Sequence, residues 1–364
     1  MRVAVVGGGI NGVFCAWRLS ERGHSVDLFE AQKAMCQTSS NSSKLLHGGI
    51  RYLEQGHFGL IREALSDRAW WMKAAPDITR PIEIAMPVYK SSKRGRLTLY
   101  LGALIYGVLA GKFSLGKPRL FTAKESSIAF GELKTENLSG AVTFHDGQMN
   151  EELLGSWVVQ KARDAGVEIH EYTPVQSFDI SGRVVIGAEH TNSYDLVINA
   201  AGPWAAQLNE QNKVKTRFTL TLVRGSHLLL DYQVKHSYLF QDPMSNRVVY
   251  VLDYFGKTLV GTTEVRQETC DSPICSIEER TFLIGIFNHY FKHQITHSDI
   301  VKEYTGLRPI LCRKKEASGA NYSKASRESE VEVTERLLTI YGGKWTSAPS
   351  LAAKVEEKIR ELRV

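Results

Sequence analysis

Apolar and polar residues alternate over the first thirty positions in a pattern typical of a βαβ unit. The apolar run Arg2–Val6 predicts a buried parallel strand. Residues Ile10 to Arg22 follow a helical period, and Gly23 after them is a residue that commonly ends helices. A second strand is predicted at Ser25–Phe29, so strand, helix and strand follow one another within about 30 residues.

Helical and strand-like patterns continue along the chain, but the strands of the middle region are grouped. Ser276 is followed by Glu279 three residues later, a capping-box pattern that predicts a helix start. Other helices are predicted at about Phe58–Ala75, Glu151–Ala165 and Thr346–Arg363. Strands are predicted at Glu168–Glu171, Leu196–Ala200, Arg217–Leu230, Arg247–Leu252, Thr258–Thr262 and Leu337–Tyr341. The grouped strands indicate an antiparallel sheet interleaved with the α/β part.

The apolar run Leu97–Gly111 contains no charged residue and is shorter than a membrane-spanning helix requires. Basic residues flank it on both sides, namely Lys93, Arg94, Arg96, Lys112, Lys117 and Arg119. Two interpretations stay open. The run forms a buried helix with solvated ends, or it is a surface element that lies on an anionic bilayer.

Composition narrows the class of protein. A length of 364 residues, 43% hydrophobic and 23% charged, predicts a globular protein of two domains. The net charge of +6 favours an anionic substrate or an acidic membrane surface and is too diffuse to indicate nucleic acid. Five cysteines without a C-x-x-C pair, and no secretory signal, predict reduced thiols in the cytoplasm. We expect no metal site.

Three glycines form the most specific short motif. Gly7, Gly9 and Gly12 make G-x-G-x-x-G between the first strand and the first helix, and Glu30 ends the second strand. These glycines permit a tight turn, a close approach of the backbone to pyrophosphate, and close packing of helix on strand. The helix N-terminus attracts phosphates, and Glu30 can accept hydrogen bonds from ribose hydroxyls. The motif predicts dinucleotide binding without separating FAD from NAD.

The serine-rich stretch Thr38–Glu54 (TSSNSSKLLHGGIRYLE) distinguishes an FAD-binding protein from an NAD-binding one. It closely resembles the corresponding segment of the FAD-dependent glycerol-3-phosphate dehydrogenase family. Further matches follow in the family's order and extend over nearly the whole chain. They are NAAGPW at 199–204, RGSH at 224–227, GTTE at 261–264, TGLRP at 305–309 and GGKWT at 342–346.

The resemblance implies FAD and a fold of the glutathione-reductase-like and D-amino-acid-oxidase-like flavoproteins. In this α/β fold, a Rossmann-like FAD-binding domain is interleaved with an antiparallel-sheet α+β substrate domain. We expect residues 1–77, 145–216 and 300–364 in the FAD-binding domain, and residues 78–144 and 217–299 in the substrate or cap domain. The implied reaction is oxidation of sn-glycerol 3-phosphate to dihydroxyacetone phosphate, with hydride transfer from substrate C2 to flavin N5.

Transferred position by position, the resemblance also implies which residues contact the cofactor. The Ser-rich loop and the turn at His47 would lie along the flavin, and the segment after Gly342 would bring a helix N-terminus toward the flavin pyrimidine. The expected cofactor-binding residues are Gly7, Gly9, Ile10, Asn11, Gly12, Glu30, Ala31, Thr38, Ser39, Ser43, Lys44, Leu46, His47, Gly48, Gly49, Val175, Ala201, Gly202, Trp204, Gly306, Arg308, Gly343, Lys344, Trp345 and Thr346.

The substrate-binding residues implied by the resemblance are Arg51, Tyr52, Arg308, Arg327 and Lys344. Guanidinium groups suit a phosphate dianion because they are planar and permanently charged. Structural alternatives remain open for three of the cations. Arg51 could pair with Glu54 or cap a helix, Arg327 could be solvated, and Lys344 could have no role in the site.

Removal of hydride from C2 also requires a base for the hydroxyl proton. A neutral histidine suits this task, and we take His227 as the first candidate and His47 as the second. Arg308 could stabilise the developing alkoxide, and Lys344 is expected to assist in the same pocket. Alternatively, His227 is a structural histidine of a strand.

The sequence departs from the family at a few places. It ends at Val364, whereas long members continue into a C-terminal helical domain. Glu264 stands where the family usually has Asp, and Trp345 and Ser347 also differ. Two other functions therefore stay open: a flavin oxidase or dehydrogenase of a small 2-hydroxy acid or amino acid, and a redox-sensing flavoprotein without catalysis. The electron acceptor (quinone or oxygen), a homo-oligomer and a peripheral location on the inner face of the cytoplasmic membrane also stay open.

Overall fold

The computed structural model describes residues 1–186, 190–245, 247–271, 273–313 and 329–362. The α-helices in these ranges are α1 (Ile10–Glu21), α2 (Phe58–Ala74), α3 (Arg96–Ala110), α4 (Ala123–Ala129), α5 (Glu151–Asp164), α6 (Ala205–Gln211), α7 (Ile277–Tyr290) and α8 (Ala348–Glu361). The strands are β1 (Arg2–Val6), β2 (Ser25–Phe29), β3 (Leu45–Leu46), β4 (Thr79–Tyr89), β5 (Arg119–Thr122), β6 (Leu138–Met149), β7 (Glu168–His170), β8 (Val175–Phe178), β9 (Arg183–Ile186), β10 (His190–Ser193), β11 (Leu196–Asn199), β12 (Phe218–Leu230), β13 (Ser237–Gln241), β14 (Val248–Tyr254), β15 (Lys257–Gly261), β16 (Val265–Gln267), β17 (Ile300–Arg313), β18 (Glu330–Thr334) and β19 (Leu337–Tyr341).

A six-stranded sheet has the order β18–β19–β11–β1–β2–β7. Its strands are parallel except β18, which pairs antiparallel with β19. Val13 of α1, Leu154 of α5 and Leu351 of α8 share one buried cluster with Val3 and Val5 of β1. The opposite face of β1 packs against the three-stranded sheet β10–β9–β8. Burial on both faces explains why β1 is apolar at successive positions.

The second large sheet has the order β16–β12–β15–β14–β13–β4–β6–β3, with β17 paired to β12 and β5 paired to β6. Helix α7 shares a buried cluster with β12, in which Leu283 and Phe287 join Leu228 and Leu230. The antiparallel register of β12 and β17 places His227 opposite Tyr304 and Val223 opposite Arg308. This pairing brings together two candidate site residues, His227 and Arg308, that are far apart in sequence.

Most of the predicted elements are present, with ends within a few residues of the prediction. The bounds of β1, β2 and β19 are those expected from their apolar runs. The capping box is confirmed because the Ser276 side chain accepts from the backbone N–H of Glu279 and the Glu279 side chain accepts from that of Ser276. The α/β fold with a parallel and an antiparallel part is confirmed as well.

Three long strands, β4, β6 and β17, are absent from the prediction. Pro81 and Pro87 lie within β4, and proline within a run argues against a strand. In the structure, β4 pairs with β6 along its length, but its other neighbour, β13, contacts only Ile84 and Ala85. Both prolines therefore lie outside the short stretch of β4 that pairs with β13.

The apolar run Leu97–Gly111 corresponds to α3, and of the two interpretations left open, the buried helix holds for one face only. Ala103, Tyr106 and Ala110 are buried. On the other side, the exposed fractions are 69% for Leu97 and 79% for Val108. Leu99, Tyr100 and Leu109 pack partly against the same cluster as these three residues, so only part of the large aliphatic side chains of α3 points outward. The further exposed members of this apolar face are Leu101, Leu104 and Ile105.

Candidate active site

A cavity of about 990 Å³ extends from the start of α1 to strands β12 and β17. Its wall includes residues after β1, β2, β11 and β19, together with much of the segment 35–52. The carboxyl ends of parallel strands lie at one edge of a sheet, so the loops after these four strands converge there. The volume lies at the upper end of the range for cofactor and small-molecule sites.

Gly7 and Gly9 of the first turn form a part of the cavity wall that is called the narrow end below. Gly7 has a positive φ of 108°, and a Cβ added to it would lie 2.7 Å from the Ala200 carbonyl oxygen. A Cβ on Gly12 would lie 1.9 Å from the Gly7 carbonyl oxygen. Gly9 is the N-cap of α1, and no side chain caps the helix from this position. The turn and the close packing predicted from the motif are therefore present.

Polar groups at this end fit a dinucleotide. Glu30 lines the cavity and accepts from the backbone N–H groups of Gly8, at 2.6 Å, and Gln32, at 2.9 Å. Asn11 also lines the cavity, and its buried Oδ1 atom has no hydrogen-bond partner in the ranges that the structure describes. At the N-terminus of α1, Ser39 Oγ accepts from the backbone N–H of Ile10 at 2.9 Å. A buried acceptor without a partner beside this helix N-terminus suits a bound ligand with hydroxyl and phosphate groups.

A second part of the cavity wall, called the cationic end below, carries cationic side chains. Arg308 donates from Nη2 to the Thr263 carbonyl oxygen at 2.8 Å, and its Nη1 lies 3.5 Å from a Glu264 carboxylate oxygen. Lys344 donates from Nζ to the hydroxyl of Tyr52. Arg51 lines the same cavity. These groups can bind an anion, with Glu264 partly offsetting the charge of Arg308.

His227 lines the cavity from the middle of β12 and is 4% exposed. Neither of its ring nitrogens has a hydrogen-bond partner within the described ranges. Burial is the largest cause that lowers the pKa of His227 well below its usual value, and the positive charges of Lys44 and Arg308 act in the same direction. The imidazole is therefore neutral at physiological pH and can accept a proton.

Most of the residues expected in the site line the cavity, including His47 and all the substrate-binding residues except Arg327. Arg327 lies outside the described residues, so its expected role stays a prediction. Five expected cofactor-binding residues do not line the cavity in this structure, namely Gly12, Lys44, Leu46, Gly48 and Gly49. Gly12 acts through packing against Gly7, and the others lie behind the wall.

Two buried ion pairs explain why this segment is set back from the cavity. The Lys44 ammonium donates to the carboxylate of Glu151 and, at 2.8 Å, to the Ser40 carbonyl oxygen. The backbone N–H of Gly48 donates to Asp146 at 3.1 Å, and Asp146 also pairs with Arg68 at 2.9 Å. Lys44 therefore supports the serine-rich loop from behind rather than contacting the cavity.

The sequence analysis missed several residues of the cavity wall. Arg247 and Arg266 line it from the start of β14 and from β16, and Thr262 lies between them in sequence. Nothing in their local pattern separated them from solvated arginines. The pairing of β12 with β16 and β15 brings this region to the cavity.

Trp345, one of the positions where the sequence departs from the family it resembles, has a structural role. Its Nε1 donates to the Ser39 carbonyl oxygen at 2.8 Å.

Comparison with known proteins identifies the family. The profile of the FAD-dependent oxidoreductase family, DAO, matches residues 2–354. The chain belongs to this family. It is accordingly an FAD-dependent oxidoreductase that oxidises a small substrate, and FAD is the cofactor that fits the glycine turn, Glu30 and Asn11.

The relatives of this DAO family member differ in substrate. The aerobic glycerol-3-phosphate dehydrogenase of Staphylococcus aureus (strain USA300) is 30% identical over 373 residues, covering 98% of this chain and 66% of that protein. The glycerol-3-phosphate dehydrogenase of Bacillus halodurans complexed with FAD has a TM-score of 0.78 and 24% identity, over 100% of this chain and 65% of its own. The glycine oxidase of Geobacillus kaustophilus has a TM-score of 0.77 and 20% identity, over 99% of this chain and 95% of its own. The chain thus spans slightly less than two thirds of the dehydrogenases and nearly the whole oxidase.

Within the described ranges, α3 and the other helices fall short of the length and apolar character that a membrane crossing requires.

Proposed function

We propose that this enzyme oxidises sn-glycerol 3-phosphate to dihydroxyacetone phosphate. The observation that carries the proposal is the position of a neutral, buried histidine, His227, in the same cavity as Arg51, Arg308 and Lys344. Bound FAD supplies the hydride acceptor at N5 of the flavin. The chain itself must bind the phosphate, orient C2 and accept the hydroxyl proton.

The cationic end suits the phosphate group of this substrate. Arg51 and Arg308 can each present two N–H donors to phosphate oxygens, which fixes orientation as well as charge. His227 then accepts the C2 hydroxyl proton on a ring nitrogen, because both nitrogens lack partners in the described protein. Arg308 can stabilise the negative charge that develops on the substrate oxygen. His47 in the cavity wall remains the second candidate base.

Anaerobic flavin reduction tests the proposal directly. Oxidised holoenzyme mixed with glycerol 3-phosphate should lose its flavin absorbance near 450 nm within seconds to minutes, whereas glycerol should act far more slowly because it lacks the phosphate. An unchanged spectrum at about 1 mM glycerol 3-phosphate, well within the usual range of KM values, would remove the proposal.

A second candidate is a small 2-hydroxy acid or amino acid. It is favoured by Glu264, which lies 3.5 Å from Arg308 and reduces its positive charge, as a monoanionic substrate requires. The same anaerobic assay with lactate, 2-hydroxyglutarate, glycine and sarcosine tests it. Reduction by these carboxylates without reduction by glycerol 3-phosphate would favour this candidate. Failure of every substrate to reduce the flavin would instead favour a redox-sensing flavoprotein.

We further propose a cytoplasmic location with peripheral contact to the inner face of the membrane. The outward face of α3 presents Leu97, Leu101 and Val108, which are 69%, 59% and 79% exposed. The exposed Lys93 and Lys112 lie just beyond the two ends of the helix. Aliphatic side chains bordered by lysines suit the interface of an anionic bilayer. Such a location would make quinone the electron acceptor, while oxygen would serve an enzyme that stays in solution.

Vesicle sedimentation tests this contact. The holoprotein should sediment with vesicles containing phosphatidylglycerol and remain in solution with phosphatidylcholine alone. Leu101→Glu with Val108→Glu should abolish sedimentation, and Leu153→Glu on the exposed side of α5 is the matched control. Equal behaviour of both variants contradicts the membrane contact. Conversion of a dimer to a monomer by the α3 variant would instead assign this face to a homo-oligomer.

A further inference from the structure

A series of three side chains leads from the cavity wall into the protein. The imidazole of His227 is stacked on the ring of Tyr304, with centroids 4.9 Å apart and planes inclined by 16°. The two residues face each other in the pairing of β12 with β17. The ammonium of Lys44 lies 4.3 Å from the centroid of the same Tyr304 ring. A cavity-lining imidazole is thus connected through an aromatic ring to a buried cation.

Several contacts hold this cation in place. Lys44 donates from Nζ to the Glu151 carboxylate, and to the Ser40 carbonyl oxygen at 2.8 Å. Glu151 also accepts from the backbone N–H of Ser42, and the Tyr304 hydroxyl donates to the Ser42 carbonyl oxygen at 3.0 Å. The backbone of Lys44 is left-handed, with φ 61°, which is uncommon for a residue other than glycine. These contacts join the loop before β3, α5 and β17 into one unit.

The remaining surroundings of His227 are backbone and two cations. On β15, Gly261 lies opposite His227, and a Cβ added there would be 2.3 Å from the ring, so only backbone fits against it. The charged groups that act on the ring are Lys44 from the loop before β3 and Arg308 from β17. Buried histidines are usually held by hydrogen bonds, but within the described ranges the ring nitrogens of His227 make none with good geometry, and the Gly225 backbone is the smallest of the causes that act on its pKa. Its orientation must therefore come from packing.

We propose that Tyr304, Lys44 and Glu151 are positioning residues for His227. Tyr304 fixes the plane of the imidazole, and Lys44, held by Glu151, places a positive charge behind it. The proposal rests on the proposed function only in assigning the substrate proton to His227. A cation near an imidazole disfavours its second proton, so Lys44 adds to the effect of burial in lowering the pKa of His227. The ring then remains a competent base at a pH where a solvated histidine is already protonated.

A purely structural role for the ion pair is the alternative, because Lys44 and Glu151 also connect the serine-rich loop to α5. Removal of one partner would leave an unpaired buried charge and destabilise the protein whatever its role. The double variant Lys44→Met with Glu151→Gln avoids this problem. Lys354 and Glu63, which pair at 3.0 Å between α8 and α2, provide the matched control, Lys354→Met with Glu63→Gln.

The first measurement requires no substrate. Histidine ¹³C-labelled FAD-bound protein is titrated by NMR, and the His227 signal is assigned from its loss in His227→Asn. The pKa of His227 should rise in Lys44→Met with Glu151→Gln by up to roughly half a pH unit, because Lys44 is among the charges that lower this pKa and Glu151 is not, so removing the pair removes a net positive influence on the ring. The control variant, Lys354→Met with Glu63→Gln, should leave the pKa of His227 unchanged. An unchanged pKa in the Lys44 variant overturns the proposed effect of charge.

The second measurement is the pH dependence of anaerobic flavin reduction. The acid limb should move to higher pH in the Lys44 variant, in the same direction as the NMR titration. Tyr304→Phe should keep the rate within about threefold, whereas Tyr304→Leu should lower it by about tenfold or more because the ring stack is lost. Equal losses in both Tyr304 variants, or an acid limb that does not move, contradict the positioning role. If the parent enzyme is not reduced by glycerol 3-phosphate at any pH, the proposed function fails, and the NMR titration still decides the role of Lys44.

Discussion

The two ends of the cavity are built in different ways. At the narrow end, Gly7, Gly12 and Glu30 belong to one βαβ unit, and backbone geometry shapes the space for the dinucleotide. At the cationic end, His227 and Arg308 come from separate strands, and the groups around them come from four or more segments. The narrow end depends on local steric requirements, whereas the cationic end depends on tertiary pairing, burial and charge.

This difference leads to distinct expectations for substitution. Changes at the narrow end should prevent FAD from binding, because an added atom has no room. Changes at the cationic end should leave FAD bound and impair proton transfer or substrate binding. The following predictions test this separation, from the largest expected effect to the smallest.

The largest effect is expected for Gly12→Ala. The added Cβ would lie 1.9 Å from the Gly7 carbonyl oxygen, so the turn must open and lose its fit to the pyrophosphate. FAD affinity should fall by about 100-fold or more, which corresponds to roughly 2.7 kcal/mol. Gly285→Ala in α7 is the matched control, because a Cβ there meets nothing within 4 Å. The flavin absorbance that remains after gel filtration measures FAD occupancy. Full FAD occupancy in Gly12→Ala would contradict the proposed steric requirement at the narrow end.

The next effect is expected for His227→Asn at the cationic end. FAD should remain bound, while anaerobic flavin reduction by glycerol 3-phosphate should slow by about 10²- to 10⁴-fold, the usual contribution of a general base. His289→Asn, at an exposed position of α7, is the control. A rate close to that of the parent enzyme would transfer the role of base to His47.

A smaller effect is expected for Arg51→Met. The KM for glycerol 3-phosphate should rise by about 10- to 100-fold, because a charge-assisted hydrogen bond to the phosphate is lost. The maximal rate should change little, and FAD occupancy should not change. Arg62→Met, at an exposed position of α2, serves for comparison. An unchanged KM would mean that the substrate anion binds elsewhere in the cavity.

The smallest effect concerns the scaffold that supports both ends. Asp67 of α2 accepts from the Ser350 hydroxyl of α8 at 2.7 Å, and burial raises the pKa of Asp67 from 3.8 to about 6. The folded state therefore retains a proton that the unfolded chain releases, so stability from this group declines as pH rises from about 4 through about 6. At pH 7.5, Asp67→Asn should increase the free energy of unfolding by about 1 kcal/mol, with no gain at pH 4.

Urea unfolding of the holoprotein at the two pH values measures this effect. Asp77→Asn, at an exposed position, should change the free energy of unfolding only slightly at pH 7.5 and at pH 4. If Asp67→Asn is destabilising at pH 7.5, the charged carboxylate must strengthen the contact between α2 and α8 instead.

Prediction from sequence succeeded where the signal was local. The apolar run of β1, the glycines of the first turn and the capping box at Ser276 each act within a few residues. Prediction from sequence failed at β4, because Pro81 and Pro87 argue against a strand. That β13 pairs with only a short part of β4, and leaves the proline positions unpaired on that side, is visible only in the folded structure. The contact of Lys44 with the flavin stays a prediction, and the sequence did not reveal that its ammonium pairs with Glu151 more than 100 positions away.

The sequence by itself determined the dinucleotide fold. The steric requirements of the first turn act between neighbouring residues, so the spacing of its glycines can be recognised without the rest of the chain. It determined through resemblance which residues to examine at the cationic end. Only the tertiary structure decided how these residues act, since the neutrality of His227 arises from its burial and from charges carried on other segments. Only the tertiary structure likewise decided which face of α3 is exposed, because an apolar run alone does not reveal which side the fold leaves uncovered.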